Sequence, residues 1–193
     1  MNVDVLTRLV ESKPAPVPLL ALQAYVNTID VETATDQLAS PAEFRDWQRH
    51  TGLETPPRDA SAQELRRARE LRDTFRALLM ANAHGAVDHG AARKLRSHVG
   101  AGRIPLSVDR SGRLELDLSP AHSVDELLSQ MIGIAYQAQV EGDWERLKLC
   151  RNDACQWAFF DSSRNRGGTW CQMEVCGNRI KNRHYRRRHR AAS

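Results

Sequence analysis

Apolar residues recur at steps of three and four along several stretches of the chain, each bounded by its own start and stop signals. The longest stretch places Leu65, Ala68, Leu71, Phe75, Leu78 and Leu79 on one face, while Arg66, Arg67, Arg69, Glu70, Arg72 and Asp73 fall mostly on the others. Ser61 followed by Glu64 has the capping-box spacing, so a long amphipathic helix is expected to about Ala83. Ser40-Pro41 offers an N-cap with proline in the first turn. Phe44, Trp47 and Gln48 follow at helical spacing, and Gly52 stops a short helix. After a connection at His84 to His89, Ala91 to Val99 reads as a further helix, ended by Gly100 and Gly102. Val124, Leu127, Leu128, Met131, Ile132 and Ala135 predict another, running to about Val140.

Other stretches carry different signals. Lys13 to Pro18 holds three prolines and reads as an extended lead-in. Leu19 to Ile29 is apolar almost throughout, so periodicity does not separate buried helix from strand. Thr55 to Arg58, with paired prolines, reads as a loop. Ile104 to Val108 and Arg113 to Leu118 alternate apolar and polar positions around Asp-Arg-Ser-Gly, which predicts a β-hairpin. The expected fold is mainly α with a small β-hairpin (α+β): a helical domain over residues 1–143, then a smaller unit over residues 144–193.

Composition adds little until the chain is split. With 41% hydrophobic and 27% charged residues it is ordinary for a folded domain. The first residues contain Asp4 and Glu11 and lack a basic start followed by an apolar run, so they do not read as a secretory signal. No apolar run approaches the roughly 18 residues needed to span a bilayer. The expected compartment is the cytoplasm. The formal net charge of +4 conceals an asymmetry: residues 144–193 carry twelve Lys/Arg against four Asp/Glu, net +8, and the rest of the chain is net −4. Concentrated positive charge is the electrostatic mark of a polyanion binder.

All four cysteines lie in that basic part, with the spacing C-x4-C-x15-C-x4-C from Cys150 to Cys176. Two close pairs separated by a loop let four thiolates converge on a tetrahedral metal, and such clustering in a reducing compartment favours zinc over disulfides. The alternatives are two disulfides, an iron–sulfur cluster or merely buried thiols. The spacing resembles no ferredoxin pattern.

These residues carry a family resemblance. Cys150-Arg151-Asn152-Asp153-Ala154-Cys155, Phe160-Asp161-Ser162-Ser163-Arg164-Asn165, Trp170-Cys171-Gln172-Met173 and Cys176-Gly177-Asn178-Arg179 follow in order, and the segment resembles the CGNR zinc finger over about Leu147 to Arg188. Tyr25-Val26-Asn27-Thr28-Ile29-Asp30 and the Arg-rich helix resemble the mainly helical ABATE domain that precedes this finger in bacterial proteins. That family usually reads Leu-Asp-Phe before Val-Asn-Thr, where this chain has Gln23-Ala24-Tyr25. The resemblance implies a stress-associated transcription regulator of bacteria, with RNA binding as the other family-level suggestion. The expected cofactor is one structural zinc ion on Cys150, Cys155, Cys171 and Cys176, in a treble-clef-like finger.

The segment after Cys176 lacks proline, and a helix is expected from near Met173 to about Arg188. Arg179, Lys181, Arg183, Arg186, Arg187, Arg188 and Arg190 put seven cations within twelve residues without one acid. A solvated face usually mixes signs, and this helix lacks the opposing apolar stripe of a membrane binder. Nucleic acid is therefore the expected partner, DNA ahead of RNA, and no membrane. The aromatic group Trp157, Phe159, Phe160 and Trp170 is expected as the finger's own small core.

Nothing points to an enzyme. The seven histidines are scattered without a metal-binding pair, no glycine-rich phosphate loop occurs, and four thiolates leave no open zinc position for water. A competing reading is a sensing or protein-interaction module whose finger is only structural. In it Asn27 and Thr28 would line a pocket for a small-molecule effector. Oligomeric state is not specified by any of these patterns.

Overall fold

The computed structural model describes residues 1–53, 58–101 and 104–181. The expected loop at Thr55 to Pro57, the stop at Gly102 and the far part of the basic helix lie outside them. Helix α1 (Val3–Leu9) is capped by Asn2, whose Oδ1 accepts from Val5 N, and it buries Leu6. Helix α2 (Leu19–Val26) has all eight residues buried, which explains the missing periodicity: a helix enclosed on every side has no polar face to mark its period. A short antiparallel pair follows, β1 (Ile29–Asp30) with β2 (Thr35–Asp36).

Helix α3 (Pro41–Thr51) begins and ends at its predicted caps, and helix α4 (Ala62–His84) begins at its predicted capping box and ends one residue past the expected Ala83. Ser40 Oγ accepts from Glu43 N, Ser61 and Glu64 complete a reciprocal capping box, and Gly52 and Gly85 close the helices at φ 66° and 61°. Arg72 departs from expectation. It is 2% exposed, and Nη1 donates to Asp36 Oδ1 at 2.5 Å and Nε to Asp73 Oδ1 at 3.0 Å. Helix α5 (His89–Ala101) passes through Gly100 rather than stopping there, since glycine weakens a helix without forbidding it. The hairpin is β3 (Leu106–Val108) with β4 (Leu114–Leu116), turned by Asp109 Oδ1 accepting from Ser111 N and Arg113 N, with Gly112 at φ 84°. Helix α6 (Val124–Glu141) starts at the Ser123 cap and ends at Gly142, φ 77°.

After one turn of 3₁₀ helix at Trp144–Arg146, β5 (Leu147–Leu149) pairs antiparallel with β6 (Ala158–Phe160). Helices α2, α4 and α6 pack on one another, and α4 also packs on β5. The main core therefore crosses residue 143: Trp144, Leu147, Leu149 and Ala158 are buried in the same cluster as Leu22, Phe75 and Met131. Among the described residues no helix is long and apolar enough to cross a membrane.

Candidate metal centre and basic helix

The β5–β6 hairpin sets the first cysteine pair. Cys150 follows β5 and Cys155 closes the tight turn before β6, with Gln156 at φ 52° re-aiming the chain. The second pair lies where the chain re-enters helical structure. Cys171 precedes a single π-helical turn, Met173–Gly177, which contains Cys176, and helical bonding then continues over residues 178–181. Gly177 permits this turn to close, because a Cβ there would stand 2.5 Å from Met173 Sδ and 3.1 Å from Trp170 Cδ1.

The four Sγ atoms lie within 4.8 Å of one another, and none forms a disulfide. Cys155 to Cys171 is 3.7 Å and Cys171 to Cys176 is 3.8 Å. A tetrahedral zinc at the usual Zn–S distance of about 2.3 Å demands sulfur separations of about 3.8 Å. The donor set therefore fits one zinc ion. No cysteine is more than 9% exposed, and four thiolates make a closed, structural site. Bonds around the sulfurs orient them: backbone N–H groups of Asn152 and Cys171 point at Cys150, that of Trp157 at Cys155, and Asn152 Nδ2 donates to Cys176 Sγ at 3.5 Å. S–H bonds from Cys155 and Cys171 hold the Cys150 thiol well below its ordinary range, and the same pairing with Cys150 pushes those two up. Four adjacent negative charges need a cation to coexist, so metal binding displaces protons from this set.

Two buried cations support the finger, and neither stood out in the sequence. Lys148 Nζ donates to Asp161 Oδ2 at 2.8 Å, to Gly168 O at 3.5 Å and to Arg166 O. Asp161 also accepts from Gly168 N at 2.6 Å and Ser163 N at 3.1 Å. Burial works to raise the Asp161 carboxyl, but the bond from Lys148 and those from Ser163 and Gly168 outweigh it and hold the group far below the usual carboxylate range. The Phe-Asp-Ser-Ser-Arg-Asn segment is thus a loop wrapped on one buried ion pair. Arg76 of α4 reaches the cysteine turn itself, donating to Val26 O at 3.0 Å and Gln156 O at 3.2 Å.

The finger is clamped to the helical domain. Gln23 Nε2 donates to Ala158 O and Lys13 O while its Oε1 accepts from Ala15 N, which gives the residue that departs from the usual family pattern a definite role. Asn27 Oδ1 accepts from Ala158 N at 2.7 Å and Nδ2 donates to Ala158 O at 3.0 Å. Thr28 Oγ1 donates to Tyr25 O at 2.8 Å and accepts from Arg72. Asn27 and Thr28, which the competing sensing reading would place in a pocket, are both buried and bonded within the protein. Trp157 Nε1 donates to Val10 O, and Phe159, Trp157 and Trp170 pack around the cysteines, while Phe160 packs on the main core.

Of the cationic series, Arg179 and Lys181 are described and exposed. Arg179 Nη1 donates to Glu32 Oε1 at 2.7 Å, joining the basic helix to the β1–β2 turn, and this bond raises the Arg179 pKa. Arg183, Arg186, Arg187, Arg188 and Arg190 lie outside the described residues.

A helical domain carrying a treble-clef-like site of four thiolates defines a zinc-finger protein. Residues 19–139 match the family model for ABATE, a putative stress-induced transcription regulator, and residues 146–189 match the CGNR zinc finger. The chain belongs to the ABATE family and carries a CGNR zinc finger after that domain. The curated proteins hold no match to it.

Proposed function

We infer that this protein is a bacterial, cytoplasmic transcription regulator that grips nucleic acid, DNA in the first place, through the cationic segment at residues 179–190, and that it has no catalytic role. The observation that carries the reading is the run of seven Lys/Arg without an acid, launched from a metal-anchored turn. Cys171 and Cys176 hold the first turn, so the exposed Arg179 and Lys181 leave the finger in a set direction. An unbroken basic run suits phosphate tracking better than base readout.

Each phosphate neutralised releases counterions and steepens the fall of affinity with salt. Replacing Arg179, Arg183 and Arg186 with Ala should flatten the log–log slope by about 2–3 units on a duplex, with zinc content unchanged. The series is run against a duplex, a single strand and an RNA hairpin. Tightest binding to the hairpin would reassign the target to RNA, and equal binding by mutant and wild type on all three would end the reading.

The Arg179–Glu32 contact supplies a second test. Phosphate and Glu32 compete for one guanidinium, so Glu32→Gln should raise duplex affinity about two- to five-fold at low salt, with the gain fading as salt screens the pair. An affinity equal to wild type throughout the series would show that Arg179 does not meet phosphate.

A further inference from the structure

The β3–β4 hairpin is the least protected apolar feature among the described residues. Alternation puts Leu106, Val108, Leu114 and Leu116 on one face. Only the inner end of that face is covered. Leu116 packs against α6 at Gly133, where an added Cβ would lie 2.4 Å from Leu116 Cδ1 and 3.5 Å from Ile104 Cγ2. Beyond it Leu106 is 58% exposed, Val108 63% and Leu114 65%. On α6, Tyr136 and Val140 stand three and seven residues after Gly133, on the same stripe, and are 59% and 71% exposed.

The backbone of β3 is open as well. Asp109 N donates to Arg113 O and Asp117 N to Pro105 O, so the bonded pairs of the ladder fall at 105/117, 107/115 and 109/113. Leu106 and Val108 consequently turn their N–H and C=O groups away from β4. Among the described residues these groups have no hydrogen-bond partner. An exposed apolar strand with a bare edge is a template for another strand, and soluble proteins pair, charge or cover such edges.

We propose that β3 is a homodimer interface: two copies pair their β3 strands antiparallel about a two-fold axis at Ser107, making one four-stranded sheet. The occupant is a second copy because the edge is complementary to itself. Centring on Ser107 sets Leu106 opposite Val108 of the second copy and the reverse, which gives four backbone hydrogen bonds by symmetry. It also sets neutral Ser107 against Ser107. Pairing through β4 instead would oppose two Glu115 carboxylates, an unfavourable cross-strand contact. The exposed hairpin and α6 side chains carry on the order of 600 Å² of apolar surface, at the top of what monomers leave bare. That approaches the roughly 800 Å² per partner of a stable interface. Such a dimer joins two finger-bearing chains in one assembly, the arrangement that lets symmetric regulators engage paired half-sites.

The test uses the zinc-loaded full chain. Wild type should sediment at twice the 21.8 kDa chain mass. Val108→Pro removes an N–H that β4 does not use, so it should sediment as a monomer while keeping the wild-type melting curve and zinc content. Ser107→Cys should give the positive signature. Opposed residues of a non-bonded antiparallel pair have Cα atoms about 4.5 Å apart, inside the roughly 4.4–6.8 Å range of disulfides. Mild oxidation should therefore yield a reductant-sensitive covalent dimer that wild type does not form. A wild-type monomer at micromolar concentration overturns the proposal. So does a dimer that survives Val108→Pro and leaves Ser107→Cys uncrosslinked, since that dimer uses another surface.

Discussion

Cys171→Ser is expected to release the metal and to destabilise the whole chain, not the finger alone. Structural zinc in small fingers contributes apparent binding free energies of about 10–16 kcal/mol to folding. Here that linkage reaches further, because the strands that hold Cys150 and Cys155 also supply Leu147, Leu149 and Ala158 to the main core. Removing one thiolate leaves three others crowded without a closed coordination shell and frees the Met173–Gly177 turn. A domain's entire margin is about 5–15 kcal/mol, so a loss on the order of 5 kcal/mol or more leaves little of it. The measurements are zinc per chain, falling from about one to near zero, and a thermal melt followed by helical circular dichroism, with and without a chelator. Wild type with chelator should approach the variant. A zinc-free variant that melts within a few degrees of wild type would show that the finger folds independently of its metal and of the helical domain.

Asp161→Ala should be strongly destabilising although it touches no metal ligand. It strands the Lys148 ammonium, 5% exposed, and leaves the Gly168 and Ser163 N–H groups without their acceptor. Removing one partner of a buried pair costs roughly 3–5 kcal/mol because the remaining charge is uncompensated. Lys148→Met should cost less, since Asp161 keeps two backbone donors. Urea midpoints at neutral pH read both. An Asp161→Ala effect within about 1 kcal/mol, the ceiling for exposed pairs, would mean that water reaches this pair. The sign with pH is definite. A carboxyl held below its unfolded value of about 3.9 contributes stability that is complete above that value and is lost as pH falls through the depressed folded one. Asp161→Ala should therefore flatten the acid limb of the stability curve.

Where side chains act on their own neighbourhood, the pattern of residues was sufficient. Ser40 and Ser61 cap helices that start where they stand, and Gly52 ends the first of them in the left-handed conformation. Asp109 and Gly112 turn the hairpin, and four clustered cysteines converge. Each is a local rule, satisfied within a few residues or by ligand chemistry that tolerates little else. Helix α1 showed no apolar period because its seven residues bury only Leu6, although Asn2 caps it, and α2 showed none because it is buried all round.

The family could also be read from the sequence alone, since its motifs are contiguous strings. The roles of Gln23, Asn27, Arg72, Arg76 and Lys148 could not. Arg72 sits among the charged helix positions that fall mostly off the apolar face, and Arg76 carried no signal of its own, yet both are buried, because β2 presents Asp36 to one and the cysteine turn presents the Gln156 carbonyl to the other. Gln23 and Asn27 find Ala158 across 135 and 131 residues of chain. A side chain declares its capacity to donate or accept, but only the packed tertiary structure determines which distant backbone group it meets. Residue order determined the caps, the turns and the metal ligands of this protein. Tertiary structure alone decided that the finger is built into the helical core, because buried polar groups take the partners that packing brings within reach.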